Sequence, residues 1–243
     1  MKNFILNKLE KFNDPNFKFD PIKHRYTYDG FEYISVTRFI QQFHKPFDQD
    51  YWSKYKADQA GVPQEEILAK WQDLNDSANI IGTDTHQWIE DYFNQKWVPL
   101  PSNIELIHRI NKFNIIYANS LYKLEPIKFE VRIFSKRWNI AGMIDALFLY
   151  DNKIYILDYK TNKKFTTTNK YNEYLLPPFE NYLKSHLSEY SIQLSLYSII
   201  LEEWGFEVGG AYIVYIGPGD EPASIHKIID MREILTKYLN LNT

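Results

Sequence analysis

The sequence predicts an α/β fold: a mixed central β-sheet flanked by helices on both sides, with an N-terminal hairpin and helical elaboration ahead of it. Three observations carry this reading. Apolar residues recur at helical spacing through most of residues 36–122. Between residues 127 and 160 the pattern becomes runs of Ile, Val, Phe and Tyr divided by turn residues. Helical spacing then returns over 188–204 and yields to one more apolar strand at 207–217. Helices and strands interleaved in this way bury their apolar faces in layers.

Taken in order, "RYTYDGFEYI" (25–34) alternates around Asp29-Gly30, a hairpin signal. Ser35 opens a short helix whose Val36, Phe39 and Ile40 share one face. Residues 50–60 and 63–80 are predicted helical, and Pro63 followed by Glu65 and Glu66 makes a helix start. "GTDTHQWIEDYF" (82–93) is predicted to resume the helix after a Gly-Thr break, and 102–122 forms another helix. Strands follow at 127–135, 139–150 and 153–160, the last two joined by a turn at Asp151-Asn152. Residues 161–187 read as a long loop of the kind that is usually functional or mobile. "MREILTKYL" is predicted to close the chain as a helix. The expected organisation is a single domain over 1–243: an N-terminal hairpin and helical arch (1–81), a core (82–217) and a tail (218–243).

The 243 residues are ample for one hydrophobic core. A net charge of −3 neither argues for nucleic acid nor excludes it, because an acidic site can mask local basic patches. The absence of cysteine removes disulfides, thiolate metal sites, iron–sulfur clusters and cysteine nucleophiles, and fits an intracellular protein. The N-terminus lacks the apolar region and cleavage site of a signal peptide. No apolar run approaches the roughly 18 residues of a membrane span.

The chemistry lies in "AGMIDALFLYDNKIYILDYKTNKK" (141–164). A charge inside a sheet is costly unless it is paired or holds a metal. Alternation puts Asp158 and Lys160 on one face of their strand, and the preceding strand can bring Asp145 beside them. Two carboxylates next to an ammonium suit a hard divalent cation and a phosphodiester. An Asp–Lys ion pair at a sheet edge is the simpler alternative. His86 and Glu90 stand at i and i+4 on one helical face, as ligands or as surface and capping residues. Gln193 and Tyr197 share that spacing beside an apolar stripe, as phosphate or base contacts or as structural packing.

In order, "GTDTHQWIE", "GMIDALF", "ILDYKTNKK" and "QLSLY" resemble the PD-(D/E)XK nuclease superfamily, and within it the RecB-type branch of phage and mitochondrial genome maintenance exonucleases. With the upstream "ISVTRFI" and "AKWQDLNDSANIIGT", the resemblance spans residues 33 to 216. It implies a restriction-endonuclease-like core and a Mg²⁺- or Mn²⁺-dependent DNase without the iron–sulfur cluster of some relatives. It implies His86, Asp145, Asp158 and the Tyr159 backbone carbonyl as metal ligands, with Glu90 and Glu130 ranked second. Lys160 would be the catalytic lysine, acting with Asp145 and Asp158, and Gln193 and Tyr197 would stand beside the active site. The expected partner is DNA, single-stranded or at duplex ends. Thr161, Lys163, Lys164 and Lys170 are candidate strand contacts, and Phe165, Tyr171 and Tyr174 are candidate stacking rings or lid packing. A structure-specific endonuclease and a non-catalytic DNA-binding protein on a decayed nuclease fold are the alternatives.

Overall fold

The computed structural model describes residues 1–99 and 101–242. Leu100, and Thr243 of the predicted tail, lie outside them. The first elements are α1 (Lys2–Glu10), β1 (Phe17–Asp20), β2 (Arg25–Tyr28), β3 (Phe31–Ser35), α2 (Val36–Gln41), α3 (Gln49–Ala60), α4 (Gln64–Phe93) and α5 (Ile104–Ile116). After a π-helical turn at Tyr117–Leu121 come β4 (Glu125–Ser135), β5 (Ile140–Tyr150), β6 (Lys153–Lys160), α6 (His186–Glu203), β7 (Val208–Tyr215), β8 (Ser224–Lys227) and α7 (Arg232–Leu241).

Local chemistry sets most boundaries. Ser35, Asp48, Asn103 and Ser185 cap α2, α3, α5 and α6 by accepting backbone N–H bonds in the first turn. Gly61 and Gly205, at φ +68° and +77°, take the left-handed positions after α3 and α6. Asp151 and Asn152 both have positive φ, the requirement of the tight hairpin turn between β5 and β6. One expectation is corrected: α4 runs unbroken for 30 residues through Gly82-Thr83. A lone glycine lowers helix propensity without forcing a break.

The eight strands form one mixed sheet in the order β1-β2-β3-β5-β6-β7-β8, with β4 also paired to β5. β5 is antiparallel to both β4 and β6, and β7 runs parallel to β6. The N-terminal hairpin is part of this sheet, because β3 pairs in parallel with Ile140 and Ala141 of β5. Two short strands, β1 and β8, extend the sheet beyond the sequence expectation. The last segment also contributes core through Met231, Leu235 and Leu239.

Each face of the sheet has its own core. One gathers α1, α2, α6 and α7 over Ile133, Ile144, Leu147 and Ile156. The other gathers α4 and α5 over Phe129, Ala146, Phe148, Leu157 and Tyr159. Helix α6 is buried almost all round, and its serines bond inward: Ser191 and Ser195 accept the backbone N–H groups of Ile229 and Met231. No helix among the described residues is long and apolar enough to cross a membrane.

Candidate metal centre

The site lies where the sheet splits. Along one edge β5 is paired with β4. Along its other edge β3 takes Ile140 and Ala141, and β6 takes Ala146–Tyr150. Gly142–Asp145 therefore has no strand partner on that edge among the described residues. The β5–β6 ladder ends at Ala146–Leu157, and beyond it Tyr159 donates its backbone N–H to Asp145 Oδ2 at 2.7 Å. The carboxylate thus satisfies a backbone donor released by the diverging strands.

Across β5, Glu130 stands between Phe129, opposite Ala146, and Val131, opposite Ile144. Glu130 has φ +47°, a left-handed value rare for a non-glycine residue inside a strand. Phe129 and Ala146 belong to one core, Val131 and Ile144 to the other. Strict alternation would put Phe129 and Val131 on the same face, so the pleat is interrupted at Glu130 and Asp145. Two acidic side chains thereby meet at the split, with local backbone strain of the kind that clusters at functional sites.

Helix α4 supplies the third member. Thr85 and Ile89 anchor it to the core, and His86 and Glu90 sit half-buried beside them. His86 Nδ1 lies 3.5 Å from Asp145 Oδ2, and its ring meets Tyr159 edge-on at 5.9 Å. One ligand atom each of His86, Glu130 and Asp145 falls within 4.8 Å of the others. One imidazole nitrogen and two carboxylates suit Mg²⁺ or Mn²⁺. Two close approaches hold the frame. A Cβ on Gly82 would meet Thr161 Oγ1 at 3.0 Å, and one on Gly142 would meet Tyr197 Cε1 at 2.6 Å. The helix glycine admits the end of β6, and the strand glycine admits the tyrosine of α6.

Glu130, ranked second from sequence, falls in this group with His86 and Asp145, and Asp158 is not one of the three. Asp158 is 1% exposed. Its charge is matched by Lys160 Nζ, 2.7 Å from Oδ2. Burial pushes the Asp158 carboxyl up against the pull of Lys160, and burial of Lys160 is outweighed by the charges of Asp158 and Asp145, which keep it protonated. Burial, then the charges of Asp145, Glu90 and Asp158, push Glu130 up to about 8. Glu130 thus feels the charges of three other carboxyl groups, an environment that favours a bound cation.

An open cleft of about 890 Å³ leads to these groups. Its walls include Pro21 and His24 from the β1–β2 turn, Asn75 to Glu90 of α4, and Glu130. Its far side is Tyr159, Lys160, Thr161, Asn162 and Tyr190. From the predicted N-terminal region (1–81), Pro21, His24, Asn75, Ala78 and Asn79 line the cleft. Gln193 is half-buried and donates to Tyr197 Oη at 3.0 Å, and Tyr197 packs over Gly142. Lys163 and Lys164 are exposed just past the cleft-lining Thr161 and Asn162.

The remaining loop candidates separate. Lys170 and Tyr171 are exposed but do not line the cleft. Phe165 is half-buried and packs at 4.2 Å on His226 and 5.5 Å on Tyr215, the arrangement that the lid-packing alternative describes. Tyr174 bridges to Leu183 and lines a different hollow with Lys45 and Lys184.

Two residues of the site escaped sequence reasoning. Arg109 of α5 is 4% exposed and donates to the carbonyls of Thr161 (2.7 Å) and Ile216 (2.5 Å), tying the ends of β6 and β7 together. Tyr190 of α6 lies beneath Lys160. Neither belongs to a motif, and only the folded chain brings them to β6.

No known family profile matches the chain, and no curated protein matches it. One solved protein, described as SSO0001, is 14% identical, covering 100% of this chain and 86% of that one, with a TM-score of 0.30. So loose a superposition bears on neither fold nor chemistry.

Proposed function

We propose that the chain is a metal-dependent deoxyribonuclease, an exonuclease acting on single-stranded DNA or on DNA ends. One observation supports this above the rest: His86, Glu130 and Asp145 converge beside the buried Asp158–Lys160 pair at the floor of an open cleft. A lone ion pair at a sheet edge explains neither the imidazole nor the strained second carboxylate.

In this reading His86, Glu130 and Asp145 hold Mg²⁺ or Mn²⁺. The bound ion supplies Lewis-acid activation of water and of the phosphodiester. The Tyr159 N–H keeps the Asp145 carboxylate in one orientation. The Lys160 ammonium faces the charge that develops on the phosphate oxygens. Asp158 holds that ammonium, and its carboxylate would be a further ligand for the ion. Thr161 and Asn162 on the cleft wall offer hydrogen bonds to phosphate, and the lysines after them attract the strand electrostatically.

The test is digestion of linear and of closed circular DNA with Mg²⁺, with Mn²⁺ and with EDTA. The reading expects metal-dependent loss of the linear substrate and an intact circle. Efficient cutting of the circle supports an endonuclease on the same site instead. Wild-type rates in Lys160→Ala would remove Lys160 from the reaction.

A further inference from the structure

Lys160 carries its charge between two partners. One is Asp158, 2.7 Å away. The other is the ring of Tyr190, whose centroid lies 4.5 Å from Nζ. An ammonium within about 6 Å of an aromatic centroid is drawn to the ring face, more strongly where water is excluded. Tyr190 lines the cleft from α6. Burial pushes its phenol up to about 12, so it presents a neutral ring.

That ring is itself held. It stacks on His186 at 5.8 Å and 18° and on Phe165 at 6.2 Å and 24°, and its hydroxyl donates to Asn162 Oδ1 at 3.5 Å. Phe165 is braced by His226 on β8. A layer of four rings thus runs from the sheet edge to Lys160 and fixes the face it rests on.

Asp158 has two claimants in the proposed reaction, Lys160 and the metal ion. A carboxylate drawn to the ion loosens its hold on the ammonium. A lysine freed in this way has a flexible four-carbon stem and strong hydration to carry it into solvent. We propose that Tyr190 is a positioning residue, whose ring keeps the Lys160 ammonium over the cleft when Asp158 turns to a cation. This rests on the metal-dependent reading above.

Two variants separate the ring from the hydroxyl: Tyr190→Phe keeps the aromatic face and Tyr190→Leu removes it. In protein labelled with ¹³C-lysine, the Lys160 ε-CH₂ signal is identified by its loss in Lys160→Arg. The expected signal is shifted upfield by the ring in wild type and Tyr190→Phe, both in EDTA and in saturating Mg²⁺. In Tyr190→Leu it joins the other lysines. On single-stranded DNA with Mg²⁺, Tyr190→Phe retains most of the wild-type kcat. Tyr190→Leu loses about tenfold in kcat, with KM and calorimetric Mg²⁺ affinity unchanged. A wild-type signal that is not upfield, or that loses its shift when Mg²⁺ is added, overturns the inference whether or not DNA is cleaved. So does an undiminished kcat in Tyr190→Leu. Failure of the wild type to cleave DNA with either metal overturns the nuclease reading instead, and the lysine signal still decides where the ammonium rests.

Discussion

Replacing Gly142 with alanine puts a methyl group where Tyr197 already sits. The new Cβ would lie 2.6 Å from Tyr197 Cε1 and 3.3 Å from both Cζ and Oη. Carbon atoms pack best at about 3.5–4.0 Å, so roughly an ångström of movement is required. Neither side yields cheaply. Tyr197 is 3% exposed and its hydroxyl accepts from Gln193, while Gly142 is paired with Ile133 in the middle of the sheet. Overpacking of this kind costs about 1–3 kcal/mol. For a chain of this length each kcal/mol lowers Tm by about 2–4 °C, so Gly142→Ala is expected to lose about 2–12 °C. Thermal unfolding followed by circular dichroism measures it. The cause is isolated by repeating the change in Tyr197→Ala, where the ring is gone and the methyl should cost little. An unchanged Tm in Gly142→Ala, or the same loss on both backgrounds, would refute the claim that the strand glycine and the α6 tyrosine form one packing unit.

Arg109→Met leaves the Thr161 and Ile216 carbonyls without their charged donor. At about 1.5–3 kcal/mol for each such bond, Tm should fall by several degrees, and Arg109→Lys should recover part of the loss. His186 gives a pH signature. Its Nδ1 accepts the Thr166 N–H and burial holds its pKa below 6.5, so the unfolded chain takes a proton that the folded chain resists. The stability it contributes is present above about pH 6.5 and declines as pH falls below that value. His186→Asn, which keeps an acceptor without titrating, should show a flatter pH dependence of Tm. Glu130→Gln should weaken Mn²⁺ binding in calorimetry by at least the roughly 10–100-fold lost with an outer-shell ligand partner, while Lys163→Ala leaves it intact.

Much of the core was legible because its signals are local. The β5–β6 hairpin follows from apolar runs on either side of Asp151-Asn152, and Ser35 marks a helix start by its own capping chemistry. The pairing of β3 with β5 was not legible, because it joins segments about a hundred residues apart with no mark in either. β1 and β8 are four residues each, too short for alternation to register. Gly82 looked like a helix break because glycine lowers helix propensity; here its missing side chain admits Thr161. The candidate site shows the same division. His86, Asp145, Asp158 and Lys160 were singled out through spacing and motif order. The meeting of Glu130 with His86 and Asp145 depends on a left-handed residue that interrupts the pleat, and the contacts of Arg109 and Tyr190 depend on α5 and α6 reaching one strand end.

The central claim is that the cluster at the sheet split carries metal-dependent hydrolysis of DNA. It is tested most directly by incubating a 5′-labelled single strand with wild type and with Asp145→Ala, each in Mn²⁺ and in EDTA. The account predicts shortening of the strand by the wild type in Mn²⁺ alone, and an intact strand in the other three reactions. Degradation by Asp145→Ala at the wild-type rate, or by the wild type in EDTA, would contradict it.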